Sequence, residues 1–96
     1  MERELDLHGL TADEARRDVA RAVRAGVASG LRGLRVVHGK GRHSAGPGVL
    51  REAMQEVLLR SPLARHVAAV APAPPRAGGA GASHVLLRGQ PRGRRS

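Results

Sequence analysis

The sequence predicts a two-layer α/β domain of order βαβαββ, with both helices on one face of the sheet. Three observations lead there. Short apolar segments with strand-like character recur at 4–8, 34–38, 66–70 and 84–88. Two longer segments with helical spacing separate the first three of them. The joints are rich in Gly and Pro, the residues that turn a chain.

The first strand is "ELDLH" at 4–8, in which Leu5 and Leu7 face one way and Asp6 and His8 the other. "TADE" at 11–14 reads as a capping box. Thr11 is placed to accept from the Glu14 amide while Glu14 reaches back, so a helix starts there. Behind it Ala15, Val19, Ala22, Val23 and Val27 keep helical spacing, and Gly30 is a natural stop. "LRVVH" at 34–38 is the second strand. After a Gly-rich loop, "VLREAMQEVLLR" puts Leu50, Met54, Val57 and Leu58 on one helical stripe that ends before Pro62. "HVAAV" at 66–70 is a weaker third strand, and "APAPPRAGGAGA" at 71–82 is a flexible connection. "HVLLR" at 84–88 is the fourth strand. Residues 1–89 form one domain, and "GQPRGRRS" reads as a basic tail, disordered over 90–96.

Right-handed βαβ crossovers make the first three strands parallel. If the sheet grows in one direction through them, the helices cover one face and leave the other, with Asp6 and His8, open to solvent. Ligands of such sheets collect beyond the carboxyl ends of parallel strands. Both "LDLHG" and "VVHGKG" end there.

Composition narrows the chemistry. The 96 residues contain no Cys, so a disulfide, a zinc–thiolate site and a cysteine nucleophile are excluded, and the cytoplasm is the expected address. No apolar run is long enough for a signal-peptide core or a membrane span, so no membrane partner is expected. Phe, Trp and Tyr are absent, which leaves a core of Leu, Val, Ala and two Met and removes base-stacking platforms. The net charge of +9 is uneven: residues 1–30 sum to −1, the rest to +10. Such asymmetry suits a polyanion, although an arginine-rich composition alone would produce the same charge.

Asp6 and His8 lie two apart on a strand, and if the second strand pairs with the first, His38 is roughly 5 Å away. Gly39 and Gly41 can take positive φ and leave backbone amides bare for a phosphate. Lys40, Arg42 and the amide end of the second helix add positive charge. An imidazole titrates near neutrality and can take or give a proton there. Either His-Gly ending alone is an ordinary turn; their convergence is what suggests chemistry. His43, His66 and His84 read as structural or surface residues. Nucleotide-binding fingerprints do not fit, because Gly41 follows Lys40 where a P-loop needs Ser or Thr, and Ser44 stands where a dinucleotide motif needs Gly. No zinc-type spacing is present.

Taken in order, "LDLHGLT.DEA", "VVHGKG", "GVLREAM" and "GGAGASHVLLR" resemble the Smr (small MutS-related) domain over about Leu5 to Arg88. The compact "HGKGRHS" form is similar to stand-alone bacterial members of the SmrA-like kind. The resemblance implies a fold like the C-terminal domain of translation initiation factor 3, a four-stranded mixed sheet whose last strand is antiparallel. It also implies endonuclease activity on DNA or RNA, with the ribosome as a further partner. The family's first motif maps onto Asp6, Leu7, His8 and Gly9, its second onto His38, Gly39, Lys40 and Gly41, and its third onto Gly78, Gly79, Gly81 and Ala82. Where the family carries aromatics this chain has Val57, Val67 and His84, losses that touch the core and not the site.

The expected function is therefore cleavage of phosphodiester bonds. Asp6, His8 and His38 are the candidate catalytic residues. Gly9, Gly39, Lys40, Gly41, Arg42, Gly79 and Gly81 are the candidate phosphate contacts. On RNA the 2′-hydroxyl could attack without a metal. On DNA a water is needed, and Asp6 with His8 could hold an activating divalent cation, Mg²⁺ or Mn²⁺. The alternative is a module that binds nucleic acid or the ribosome without cutting.

Overall fold

The computed structural model describes residues 2–39, 48–77 and 79–89. Lys40, Gly41, Arg42, Gly78 and the basic tail lie outside the described residues. The chain runs β1 (Glu2–Asp6), α1 (Ala12–Ala28), β2 (Gly33–Val37), α2 (Val49–Gln55), β3 (Val67–Pro72) and β4 (Ala82–Leu87). The sheet order is β1-β2-β4-β3. β1 and β2 pair in parallel, and β4 inserts between β2 and β3, antiparallel to both. β1, β2 and β3 therefore point the same way, and the four strands make the expected mixed sheet.

Alternation decides what each strand buries. Leu5, Leu7, Leu34, Val36, Val85 and Leu87 share one face and pack under the helices. α1 contributes Ala15, Val19 and Val23; the second helical segment contributes Leu50, Ala53, Met54, Val57 and Leu58. Val57 and Val67 are buried in this aromatic-free core. α1 also carries Gly26 against the sheet, where an added Cβ would meet Leu87 at 3.1 Å and Leu31 at 3.2 Å. Arg16 ties the helical layer together by pairing with Asp13 on its own helix and Glu56 on the next segment.

The capping box forms as read: Glu14 N–H donates to Thr11 Oγ1 (3.1 Å), and Thr11 N–H donates to Glu14 Oε1 (3.0 Å). At the other end Gly30, at φ +77°, lets Leu31 N–H return to Gly26 O at 2.8 Å. Thr11→Ala should lower unfolding free energy by roughly 1 kcal/mol. A urea midpoint equal to that of the unmodified protein would show that this cap does not support the fold.

Several element bounds differ from the expectation, β2 by a single residue. β1 stops at Asp6 and not at His8, because the Asp6 carboxylate accepts the His8 backbone N–H at 2.9 Å and closes a turn with Gly9 at φ +83°. Strand parity therefore no longer dictates the direction of His8. The second helix is α-helical only to Gln55 and continues as a wider π-helical turn over Glu56–Arg60. Ser61 closes that turn: its N–H donates to Glu56 O, its hydroxyl to Val57 O, and Pro62 has no N–H with which to extend the helix. β3 runs on to Pro72, which an edge strand tolerates, and β4 begins two residues early at Ala82.

The other face of the sheet carries Glu4, Arg35, His84 and Ala71 in one cross-strand row. Arg35 Nη1 lies 3.5 Å from Glu4 Oε1, without a hydrogen bond. His84, partly buried, has an Nε2 with no hydrogen-bond partner among the described residues.

Candidate functional site

Three segments far apart in sequence meet at one end of the sheet. Leu7 N–H donates to Val37 O at 2.8 Å, which carries the β1–β2 ladder to the strand ends and brings the Asp6–Gly9 turn beside His38. Gly81 O, just before β4, accepts from both His38 N–H (3.0 Å) and Gly39 N–H (2.9 Å). The glycine turn at 79–81 is thereby pinned onto the end of β2, with Gly79 at φ +54° and Gly39 at φ +79°.

Within this cluster the sequence-derived residues take different positions. Asp6, His8 and Gly9 are exposed. Asp6 supports the turn through its bond to the His8 amide and lies on the strand face opposite Leu5 and Leu7. His38 shares the parity of Leu34 and Val36, so it points to the helix side, and only 2% of its surface is exposed. The two imidazole segments are neighbours along the sheet end, but His38 is a buried ring and His8 an exposed one. The expectation of a bare Gly39 amide is corrected, because that N–H is consumed by Gly81 O when β4 docks against β2.

The surroundings of His38 define its proton. Its Nδ1 lies 3.0 Å from Gly39 O and its Nε2 lies 3.0 Å from Ser83 Oγ. A carbonyl only accepts, so in the neutral ring Nδ1 carries the hydrogen and Nε2 offers its lone pair to the Ser83 hydroxyl. Burial holds the His38 pKa below its ordinary 6.5, and the nearby Arg51 charge pushes the same way, against the Gly39 carbonyl. The ring is thus neutral near pH 7. Because the unfolded chain protonates first on acidification, His38 supports the fold fully above about 6.5 and loses that support as pH falls toward its depressed folded value. His38→Gln should therefore flatten the acid side of the stability–pH curve. An unchanged slope would mean that the ring does not titrate with unfolding.

Beside this pair lies a pocket of about 160 Å³ between the second helical segment and strands β3 and β4. Arg51, Gln55, Ser83 and His38 supply its polar groups, and Val70 and Pro72 supply part of its apolar wall. Arg51 lies within "GVLREAM" and Ser83 within "GGAGASHVLLR", but neither they nor Gln55 are among the site residues the sequence predicts. One signal for Ser83 was available: it shares the parity of Val85 and Leu87, so a hydroxyl at that position needed a buried partner. Arg51 and Gln55, four apart, share one side of a helix. A second, shallower groove on α1 is lined by Arg16, Arg17, Arg21 and Arg24. The segment sum of −1 concealed it, because three of the six acids in 1–30 lie on β1.

Among the described residues no three His, Asp or Glu side chains gather as a metal-binding cluster. The two candidate metal ligands, Asp6 and His8, are both exposed on one turn. Among the described residues no helix is long and apolar enough to cross a membrane.

A mixed four-stranded sheet with two helices on one face and paired His-Gly turns at one end defines a small α/β domain of a recognisable class. The chain belongs to the Smr family: residues 5–88 match the Smr domain. It is 43% identical over 86 residues to an endonuclease MutS2 of Thermus thermophilus and 39% identical over 61 residues to one of Caldicellulosiruptor saccharolyticus. These alignments cover 90% and 64% of this chain but only 10% and 7% of those relatives, so the chain spans a tenth of their length or less. The crystal structure of the Smr domain of Thermus thermophilus MutS2 is similar, with a TM-score of 0.76 and 43% identity over 90% of this chain and 98% of that one. YdaL, a stand-alone small MutS-related protein of Escherichia coli, is also similar, with a TM-score of 0.77 and 31% identity over 88% of this chain and 63% of that one.

Proposed function

We propose that this chain is a nucleic-acid endonuclease that cleaves or nicks phosphodiester bonds. The carrying observation is the junction at the sheet end, where Leu7 binds Val37 and Gly81 binds both His38 and Gly39, so that all three glycine motifs border one place. His8, exposed on the turn that Asp6 braces, exchanges protons with substrate and solvent. His38, neutral and buried, is the second acid/base group. Lys40 and Arg42, with Gly9, Gly41 and the 79–81 turn, contact the backbone phosphates. On RNA the 2′-hydroxyl attacks phosphorus and needs no metal. On DNA a divalent ion held by Asp6, His8 and the substrate would supply the activated water. Membership of a family that includes endonucleases, together with the +9 charge, supports this reading.

The test is incubation with end-labelled DNA and RNA, with and without EDTA, followed by end-group analysis. A 2′,3′-cyclic phosphate on RNA identifies the metal-free route, and EDTA-sensitive 5′-phosphate ends identify the metal route. Tight, salt-sensitive binding with intact strands would replace the endonuclease by a non-catalytic binding module.

A further inference from the structure

No residue of the exposed Asp6–Gly9 turn lines the pocket beneath the second helical segment, whereas His38, Arg51, Ala80, Ala82 and Ser83 bring the other sequence motifs to it. We propose that Arg51, Gln55, Ser83 and His38 form a subsite for one phosphate group of a polynucleotide, on the helix-bearing side of the sheet. This rests on the reading of the chain as a protein that acts on nucleic acid, and it adds where a second phosphate of that substrate is held.

Charge selects an anion. Arg51 is exposed and has no ion pair with a described residue, and no carboxylate lines the pocket among the described residues. At about 160 Å³ the pocket is small beside those of roughly 300 Å³ and more that take drug-sized ligands, and a single phosphate group suits it. The donors are a guanidinium fork, suited to phosphate oxygens, and the Gln55 amide. The Gly39 amide cannot serve, since Gly81 O already takes it.

Ser83 completes the set through a reversible bond. With the ring neutral, the single hydroxyl proton of Ser83 is committed to His38 Nε2. An anion beside Arg51 favours the charged imidazole, which then takes a proton from solvent and donates Nε2–H to Ser83 Oγ. The same contact has reversed direction, and the hydroxyl proton of Ser83 turns to a phosphate oxygen. Binding is therefore accompanied by protonation of His38, with one proton gained from solvent and none lost elsewhere in the pair.

The experiment follows the imidazole ¹⁵N signals of His38 and the Gln55 side-chain amide by NMR. Inorganic phosphate and a short single-stranded oligonucleotide are the two probes, added to the full chain and to Arg51→Gln. With the full chain, both probes should move the Gln55 amide and convert His38 Nε2 from unprotonated to protonated. Arg51 is exposed, so the variant should fold. It should bind the oligonucleotide at least tenfold more weakly, with a log–log salt slope smaller by about 0.7. Equal affinity and slope in Arg51→Gln would overturn the subsite, as would a response to inorganic phosphate with none to the oligonucleotide. A cleavage assay run alongside separates the two readings. Cutting by a variant that binds like the full chain removes the subsite and leaves the endonuclease; phosphate capture at Arg51 by a full chain that cuts nothing does the reverse.

Discussion

His8→Ala should reduce cleavage by about 10²–10⁴-fold, the usual contribution of a positioned acid/base group, while leaving affinity near that of the unmodified protein. The Asp6 carboxylate accepts the His8 backbone N–H, a bond that an alanine keeps, and the exposed position leaves no cavity. Loss of turnover would then report chemistry and not collapse of the turn. Single-turnover rates on labelled DNA and RNA, with protein free of host nucleases, measure it. Undiminished rates would remove His8 from the reaction and leave the buried His38 as the acid/base candidate.

The second large effect concerns the core. Leu34 is 0% exposed on β2, which pairs with both β1 and β4, and lies in the layer formed with Val36, Val85 and the helices. Leu34→Ala removes its buried methyl groups and leaves a cavity, at a loss of about 2–5 kcal/mol. With no aromatic ring in the chain, the neighbours are Leu, Val, Ala and Met, and few large side chains can move in to fill the space. Small domains hold only about 5–15 kcal/mol in reserve, so a large fraction of the stability should vanish. Equilibrium urea unfolding checks this; a loss under about 1 kcal/mol would mean that the layer collapses onto the vacancy.

Gly26→Val tests the packing from the other direction. Its Cβ would press on Leu87 and Leu31 at 3.1–3.2 Å, and the expected loss is about 1–3 kcal/mol.

The sequence by itself determined the order of elements, the start of α1 at its capping box and its stop at Gly30, and the buried face of β1. Those features depend on neighbours a few residues apart, and periodicity and capping chemistry report them directly. It also placed the His-Gly endings on strand ends and, by resemblance, gathered them with the glycines before the last strand. Only the tertiary structure decided what each imidazole does there. His38 meets Ser83 across 45 positions because β4 inserts between β2 and β3, and that docking consumes the Gly39 amide that local reasoning had left bare. The Asp6 side chain likewise ended β1 before His8, releasing that residue from strand parity. Local spacing encodes which way a residue faces within an element, whereas a hydrogen-bond partner on a distant strand is fixed only when the sheet closes.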